Sequence, residues 1–386
     1  MEAGAKQHEI AVIITVFNKE KFLRDAIESV LTQHLGASVT NSTTAQHTSC
    51  QKTLSIILCD DGSTDSSRQI CADYAAKYHS GSDNDSAPLK IVFDITDGVH
   101  RGVSGNFLHC LEFALSLNVR YVSQLDSDDI LADPYFLLRQ TSFLDSHPEA
   151  QAACSGFFLI DEKDTLETVR GKFHSSPLCN KSSVTQDTTA NVNSKTISYT
   201  STEESSQNSV HGIYRDLKIT PETLLTKNNT LVAGGVTYRT EHLRVYLNTF
   251  ASREDATQDL PLWLFLSQCG SFWGTDTQSI AYRNLAESVS RSEDLETQLR
   301  FQQESLDTRL RFTGFLKQNH PQSSLKRIDK LEDKAKLLYE KKMLRHYAKL
   351  SPKEYPAQLK KSLKKSPSLI FSKDIWRSIG VYLKNR

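Results

Sequence analysis

Short apolar segments that each end in an acidic turn are the feature that most constrains how this chain can fold. Residues 54–58 lead into Cys-Asp-Asp-Gly-Ser-Thr-Asp at 59–65, and residues 121–125 lead into Asp-Ser-Asp-Asp at 126–129. A short apolar run that ends in a polar turn is typical of a buried strand in an α/β sheet. Because ligands of such sheets bind where the strands end, we expect two strands to deliver carboxylates to one edge.

Strand and helix patterns alternate along the first half of the chain. Apolar, β-branched runs predict strands, and apolar residues at helical spacing predict the helices between them. This alternation favours an α/β fold with a doubly wound, mainly parallel sheet. The predicted strands are 10–17, 54–59, 89–95, 121–125, 152–161 and 236–238, and the predicted helices are 19–33, 66–78, 103–117, one from after Pro134 to about 146 and one that starts at Asp259.

Polar stretches and a basic tail divide the chain further. Residues 36–53 and 175–210 are rich in Ser, Thr and Asn, and the second stretch carries few large apolar groups. We predict a surface insertion and a mobile loop there, because such segments cannot bury enough surface to order themselves. Beyond about Glu293 the pattern is helical and increasingly basic, which predicts a C-terminal helical extension.

The charge is balanced overall but unevenly distributed. The chain has 46 Lys and Arg and 46 Asp and Glu, so as a whole it offers no electrostatic basis for binding nucleic acid. Residues 326–386 hold 18 basic and 6 acidic residues, whereas residues 1–325 hold 28 basic and 40 acidic ones. An acidic body with a basic tail suggests that the tail meets an anionic surface.

Cysteine usage and hydropathy indicate the compartment. The seven cysteines are odd in number and include no C-x-x-C pair, so neither a zinc knuckle nor a disulfide framework is predicted. The longest N-terminal apolar run, residues 10–17, is too short to span a bilayer and lacks the features of a signal peptide. We therefore predict a cytoplasmic protein, with peripheral contact to the inner face of a membrane suggested by the basic tail.

Asp126 and Asp128 are candidate metal ligands. In an extended segment, residues two apart point to the same side, so these two carboxylates converge. Two carboxylates together with diphosphate oxygens would suit Mg²⁺ or Mn²⁺. A solvated acidic turn is the plain alternative. The Asp60-Asp61-Gly62 turn is equally ambiguous, because Gly allows a tight turn and the polar residues after it can simply cap a helix.

Taken together and in order, these motifs resemble the family 2 glycosyltransferases with a GT-A fold. Residues 9–135 resemble the nucleotide-sugar-binding half of that family, and residues 101–107 are most similar to its rhamnosyltransferase-like members. The resemblance extends to about residue 292, with the insertions excepted. The motifs that carry it are Thr-Val-Phe-Asn at 15–18, the acidic turns at 59–65 and 124–129, Arg-Gly-Val-Ser-Gly-Asn-Phe at 101–107, Thr-Gln-Asp-Leu-Pro-Leu-Trp at 257–263, Tyr-Arg at 282–283 and Ser-Val-Ser at 288–290.

The resemblance implies a domain plan and a set of donor-binding residues. A glycosyltransferase domain would occupy 1–292, with a nucleotide-sugar-binding half at 1–135 and an acceptor half at 136–292, followed by the basic extension at 293–386. The cation would bind Asp126 and Asp128. The nucleotide-sugar contacts would come from Thr15, Phe17, Asn18, Asp60, Asp61, Asn106, Asp126 and Ser127.

The resemblance also implies a mechanism. Asp259 would act as catalytic base on an acceptor hydroxyl, in a single displacement that inverts the anomeric configuration. A helix N-terminal carboxylate is the plain alternative for Asp259, and the nearby Glu254-Asp255 pair is an alternative base. The donor would be a UDP- or dTDP-sugar and the cofactor Mn²⁺ or Mg²⁺. The acceptor would be a glycan or a lipid-linked molecule in glycan or polysaccharide biosynthesis.

The chain departs from the family pattern at two positions. Many relatives carry a His where this chain has Leu285, and many have Ala-Arg-Asn where it has Ser-Gly-Asn at 104–106. Arg101 is a candidate replacement for the missing Arg. A non-catalytic nucleotide-sugar-binding or scaffold protein is therefore the competing hypothesis. A sugar nucleotidyltransferase is disfavoured because no Gly-rich, basic phosphate loop follows the first strand.

Two interpretations of the basic tail remain open. Paired lysines at 360–361 and 364–365 beside apolar residues predict a membrane-surface helix, which would suit a lipid-linked acceptor. The alternative is a solvated helical extension or an oligomerisation element. The apolar residues in question are Leu369, Ile370, Phe371, Ile375, Trp376, Ile379, Val381 and Tyr382.

Overall fold

The computed structural model describes residues 9–35, 53–78, 89–95, 99–175, 214–227, 231–285 and 292–385. These residues form two compact units. The first contains the described residues within Met1–Ile219, Thr230–Thr249 and Cys269–Asn284. The second contains those within Thr220–Asn229, Phe250–Gln268 and Leu285–Arg386.

A mixed sheet with helices forms the first unit. Its spatial order is β3-β2-β1-β4-β8-β6-β9-β5, and β7 also pairs with β9. The strands are β1 (Ile10–Val16), β2 (Leu54–Asp60), β3 (Leu89–Ile95), β4 (Tyr121–Asp126), β5 (Ile130–Leu131), β6 (Ala150–Ile160), β7 (Tyr214–Asp216), β8 (Val236–Arg239) and β9 (Ser271–Arg283). The helices are α1 (Leu23–Leu31), α2 (Ser67–Tyr78), α3 (Gly102–Ser116), α4 (Phe136–Ser146), α5 (Leu166–Ser175) and α7 (Leu243–Thr249).

Strands β1 to β4 form the parallel part of the sheet. β1 pairs in parallel with both β2 and β4, and β2 pairs in parallel with β3. β1 and β2 are almost wholly buried, as expected of parallel strands covered by helices on both faces. Beyond β4 the pairing becomes mixed, because β8 is antiparallel to both β4 and β6 whereas β6 and β9 are parallel.

The second unit is helical. Its elements are α6 (Pro221–Thr226), α8 (Asp259–Leu266), α9 (Leu295–Asn319), α10 (Leu325–Leu350), α11 (Tyr355–Lys365) and α12 (Lys373–Asn385). Stacked and tilted rings of Phe250, Phe265, Phe312 and Phe315 hold α8 against α9, with centroids 5.3–6.3 Å apart. Trp263 is fully buried and contributes to the core.

The C-terminal helices have a small core of their own. Leu344, Ala348, Tyr355, Leu369 and Ile375 are buried together there, and Ile379, Val381 and Tyr382 pack against them. Leu369 and Ile375, two of the apolar residues on which the membrane-surface interpretation of the tail rested, are therefore buried within the protein against α10.

The α/β class and the helical C-terminal region are confirmed. The predicted strands and helices within the described residues form, with shifts of a few residues at their ends, whereas β5, β7, α5, α6 and α7 were not predicted. The predicted insertion at 36–53 and the predicted mobile loop at 175–210 lie almost entirely outside the described residues. Among the described residues, no cysteine forms a disulfide bond, and Cys59, Cys71, Cys110 and Cys154 are buried. No helix of the described chain is long and apolar enough to cross a membrane. The domain boundary at 292 stays a prediction.

Candidate functional site

The carboxyl ends of β1, β2 and β4 lie side by side at one edge of the first unit. Thr15 is the register partner of Cys59 on one side and of Asp126 on the other. The chain runs from β1 outward to β2 and β3, then returns to place β4 on the opposite side of β1. This reversal is a topological switch point, where open α/β sheets bind their ligands. The sheet therefore brings Thr15, Asp60 and Asp126 to one rim.

The loop after β1 is hydrogen-bonded to the loop after β2. Asn18 adopts a left-handed φ of 52°, which Asn tolerates better than most residues. Its N–H donates to Ser63 Oγ at 2.9 Å, and its Oδ1 accepts from the N–H of Thr64 at 2.8 Å. Lys19 N–H donates to Ser67 Oγ at 2.8 Å. The Asn18 amide thus fixes the shape of the rim through its carbonyl oxygen.

Asp60 and Asp61 are both buried and serve different parts of the backbone. Asp60 Oδ2 accepts from the N–H of Ser63 at 3.2 Å, which supports the end of β2. Asp61 accepts from the N–H groups of Arg101 and Gly102, at 2.5 Å and 3.0 Å, where α3 begins. Gly102 has a φ of 74°, a conformation that suits glycine. Asp61 therefore anchors the start of α3 to the rim.

An exposed aromatic pair lies beside Asp61. The rings of Phe17 and His100 have centroids 4.6 Å apart, and Phe17 is 43% exposed. His100 Nδ1 lies 3.0 Å from Asp61 Oδ2. A flat exposed surface next to buried polar groups can stack a planar ligand such as a nucleobase.

Four buried polar atoms on α3, at its N-terminus and on β4 have no hydrogen-bond partner in the described part of the protein. Asn106 donates from Nδ2 to the carbonyl of Cys59 at 2.9 Å, so α3 is attached to the end of β2. Its Oδ1 is buried and has no hydrogen-bond partner in the described part of the protein. The same holds for Arg101 Nη1, Ser104 Oγ and Gln124 Oε1. Because buried polar atoms are normally satisfied, these four are candidate contacts for a polar ligand.

In the acidic turn after β4, two carboxylates are partly exposed and one is buried. Asp126 is partly exposed, and its Oδ1 lies 3.5 Å from Gln124 Nε2. Ser127 is buried. Asp128 is also partly exposed, and its Oδ2 lies 2.7 Å from Lys19 Nζ. An ammonium group thus neutralises one of the two predicted metal ligands.

Asp129 and Arg283 lock this turn from inside. Arg283 N–H donates to Asp129 Oδ1 at 2.8 Å, and Arg283 Nε donates to the carbonyl of Asp128 at 2.8 Å. Its Nη1 reaches the carbonyls of Asp161 and Asp164 at 2.6 Å and 2.9 Å. Burial, with Asp128 and Asp126 close by, raises the pKa of Asp129, and burial lowers the pKa of Arg283.

The acidic turn fits a divalent cation of the oxygen-preferring kind. Mg²⁺ is commonly held by one or two carboxylates, with phosphate oxygens and water completing its shell. Asp126 and Asp128 provide that minimal set. Within the described ranges, no group of three or more His, Cys, Asp or Glu side chains could hold a metal by itself. A cation on Asp128 would therefore complete its shell with water or ligand oxygens and would compete with Lys19.

Asp259 belongs to the second unit, where it opens α8. Its Oδ1 accepts from the N–H of Leu260 at 2.7 Å. Burial raises its pKa, opposed by the Leu260 N–H, the Thr257 hydroxyl and the charge of Arg309. Asp259 is only partly buried.

The alternative base Asp255 has another role. Its oxygens lie 2.7 Å and 2.5 Å from Arg311 Nη2, and Thr308 Oγ1 donates to it at 3.0 Å. These contacts attach the loop before α8 to α9 and occupy the carboxylate. Glu254 is exposed and remains an alternative base.

Two residues of the site were not predicted from the sequence. Lys19 gave no signal beyond an ordinary helix-start lysine. Arg283 was noted only within a Tyr-Arg motif, because its contacts lie more than 100 residues away along the chain. The parallel strands, the switch point and the acidic rim define an α/β protein that binds its ligand at the carboxyl ends of its strands.

Comparison with known proteins finds similarity to one family. Residues 11–201 match the model described as Glycosyl transferase family 2. It is 30% identical to EpsE of Bacillus subtilis (strain 168), named as a glycosyltransferase, over 42% of this chain and 46% of that protein. It is 27% identical to the minor teichoic acid biosynthesis protein GgaB of the same organism, over 46% of this chain and 16% of that protein.

The chain thus spans less than half the length of these relatives. Among solved structures, S. aureus TarS is similar with a TM-score of 0.46 and 14% identity, over 91% of this chain and 50% of that one.

Replacing Lys19 should expose the charge of Asp128 to cations. Partly exposed ion pairs contribute about 0.2–1 kcal/mol, so Lys19→Met should tighten Mn²⁺ binding by roughly two- to fivefold. The measurement is a Mn²⁺ titration without nucleotide, followed by electron paramagnetic resonance. Lys21→Met, which removes an exposed lysine from the same loop, is the control. Equal affinities in all three proteins would contradict a metal role for Asp128.

Proposed function

We propose that this protein is a metal-dependent, inverting glycosyltransferase that transfers a sugar from a nucleotide-diphosphate donor to an acceptor hydroxyl. The observation that carries the proposal is the convergence of Thr15, Asp60 and Asp126 at the switch point of the sheet. The match of residues 11–201 to the model of glycosyl transferase family 2 supports the same reaction class. A UDP- or dTDP-sugar is the proposed donor.

The rim residues would bind and orient the donor. The exposed ring of Phe17 would stack on the base, and Thr15, Asn18, Asp60 and Asp61 would line the base and ribose end. Asn106 Oδ1, buried without a protein partner, would accept a hydrogen bond from the donor. Asp126 and Ser127 would contact the ribose side. These contacts use atoms that the fold already holds in place, so little ordering accompanies binding.

Asp126 and Asp128 would hold the proposed Mn²⁺ or Mg²⁺. When bound, such a cation neutralises negative charge on a departing diphosphate. Lys19 would leave Asp128 as the cation arrives, and its ammonium would then be free to meet donor phosphate oxygens. Arg283 and Asp129 would keep the turn in place during this exchange, since neither needs to move.

Asp259 would take the proton of the acceptor hydroxyl. A base must be deprotonated, and burial disfavours the carboxylate, so the pKa of Asp259 lies above its ordinary value. Activity should therefore decline on the acidic side at a higher pH than an exposed aspartate would give. GgaB is named for teichoic acid biosynthesis, which makes a surface polymer a reasonable acceptor class to propose for this chain.

Nucleotide binding tests the donor site directly. We expect UDP or dTDP to bind in a Mn²⁺-dependent manner, with GDP clearly weaker, and Asp128→Ala to weaken that binding at least tenfold. The measurement is calorimetric titration of each nucleotide with and without Mn²⁺. Asp73→Ala, which removes an exposed acid from α2, should bind like the wild type. If no nucleotide binds under any condition, the enzymatic proposal fails and a scaffold role takes its place.

Replacing Asp259 tests the base. Asp259→Asn should reduce kcat by about 10²- to 10⁴-fold, because proton transfer contributes a factor of that size. Donor affinity should stay unchanged. In a steady-state pH profile from pH 5 to 9, the decline of the rate at low pH should also disappear in Asp259→Asn. Glu254→Gln serves as the control and should retain activity within twofold. The reverse outcome, with Glu254→Gln inactive and Asp259→Asn active, would reassign the base.

We also propose that the C-terminal helices contact an anionic membrane surface. Phe371, Trp376 and Leu383 are 89%, 62% and 64% exposed, and Ile370 lies beside Trp376, whose Nε1 donates to the Ile370 carbonyl at 3.1 Å. On α12, the spacing of Lys373, Trp376, Arg377, Leu383 and Lys384 places cations and apolar groups on one exposed face. That combination suits an interfacial helix.

Vesicle binding tests this surface. Phe371→Ser with Trp376→Ser should weaken binding to phosphatidylglycerol vesicles at least tenfold, because each ring contributes roughly 1.5–3 kcal/mol on burial. Sedimentation with vesicles is the measurement, and binding should also weaken as salt increases. The control pair Leu159→Ser and Val245→Ser removes exposed apolar groups elsewhere. Undiminished binding of the first double variant would contradict the proposed surface.

A further inference from the structure

A cavity of about 200 Å³ lies within the helical unit. A single water molecule needs only about 10–15 Å³ of such space, so the cavity can hold a small polar ligand. It opens between the start of α9, helix α10 and helix α12. Its lining residues are Ser292, Gln298, Arg345, His346, Lys349, Leu350 and Val381.

Helix α10 presents a basic face to this cavity. Lys342, Arg345, His346 and Lys349 follow the spacing i, i+3, i+4 and i+7, so they share one side of the helix. Arg345, His346 and Lys349 line the cavity itself. Such a row provides the guanidinium fork and ammonium group that bind phosphate oxygens.

Three carboxylates on the elements around the cavity, Glu340, Asp374 and Asp294, are engaged with other groups. Glu340 accepts from Ser362 and pairs with Lys365. Asp374 pairs with Lys341 and Arg377, and Asp294 accepts from the Thr297 N–H at the start of α9. Within the described residues, no carboxylate pairs with Arg345, His346 or Lys349. The cavity therefore has positive groups without compensating charge.

The shifted acidities of the same groups agree with this imbalance. Burial and the charges of Lys342, Arg345 and Lys349 lower the pKa of His346 to about 4. Burial and the charge of Arg309 lower the pKa of Lys342 to about 8. Arg309 in turn acts electrostatically on Asp259. Arg309 therefore interacts electrostatically with both Lys342, the first residue of the basic row, and Asp259, and all three belong to the helical unit.

We propose that this cavity binds a phosphate group, mono- or diester, of the sugar acceptor. The assignment to the acceptor rests on the proposed function, because it uses Asp259 as the base that meets the acceptor hydroxyl. Arg345 would bind two phosphate oxygens, Lys349 would add an ammonium contact, and Ser292 and Gln298 would line the polar wall. An acceptor bound through its phosphate could present a nearby hydroxyl to Asp259, which belongs to the same unit.

Phosphate binding tests the cavity independently of transfer. Inorganic phosphate and glycerol phosphate are titrated by calorimetry at low salt into the wild type, Arg345→Ala/Lys349→Ala and Lys326→Ala/Lys330→Ala. The last variant is the matched control, since it removes two exposed lysines of α10 and gives the same net charge. We expect millimolar binding in the wild type, at least a tenfold loss in the cavity variant and less than a twofold change in the control.

His346 provides a second reading at the site. Its ring resonance, identified with His346→Gln, should show a pKa that rises toward the ordinary histidine value when phosphate is added, because an anion stabilises the imidazolium. Absence of both heat and this change in the wild type would overturn the proposal. Equal losses in the two double variants would also overturn it, because they would indicate general charge attraction.

Two further measurements distinguish a lipid headgroup from a soluble phosphate ester, and the anion site from the proposed glycosyltransferase function. If phosphatidylglycerol vesicles lose affinity for the cavity variant while glycerol phosphate fails to bind, the row serves a lipid headgroup and the acceptor assignment is overturned. Mn²⁺-dependent nucleotide binding is measured on the same proteins and should be unchanged. Failure of nucleotide binding with retained phosphate binding would defeat the proposed function and leave the anion site standing.

Discussion

The buried guanidinium of Arg283 is the constraint on which the candidate donor site depends. It donates to main-chain carbonyls of two separate turns, at Asp128 and at 161–164, and lies 4.5 Å from the ring centroid of Phe22. A guanidinium can be buried only where such acceptors receive it, and losing one member of a buried pair typically costs about 3–5 kcal/mol. The end of β9 thereby fixes the turn that follows β4.

This arrangement gives the four residues of the acidic turn different tasks. Asp129 is buried against the Arg283 backbone, so its charge is disfavoured and its role is structural. Asp126 and Asp128 are left partly exposed at the rim, where a cation or a ligand can reach them. Lys19 compensates one of them until that happens. A turn held from inside keeps two carboxylates in place at little entropic cost, which is the physical content of preorganisation.

The sequence predicts this site well where the signal is local. Apolar runs that end in polar turns locate β1, β2 and β4, and parallel pairing then requires Thr15, Asp60 and Asp126 to meet. It fails where a partner is distant in sequence. No sequence pattern near Asp61 predicts that its carboxylate accepts hydrogen bonds from the N–H groups at the start of α3. The apolar tail residues show the same limit, because period alone cannot distinguish a membrane-facing stripe from a small core that buries Leu369 and Ile375.

The acidic first part of the chain and its basic C-terminal part each contain a cluster of like charges. Close carboxylates at the acidic turn raise the free energy of the ligand-free protein, and so do the neighbouring cations Arg345 and Lys349 on α10, which have no carboxylate partner among the described residues. A ligand of opposite charge relieves each cost, so it stabilises the folded protein in proportion to its affinity. Clusters of like charge are destabilising and are found mainly at functional sites, where a bound ligand of opposite charge offsets the cost. A cluster of like charges is therefore evidence about the charge of a ligand. The acidic turn indicates a cation, and the basic residues of α10 indicate an anion.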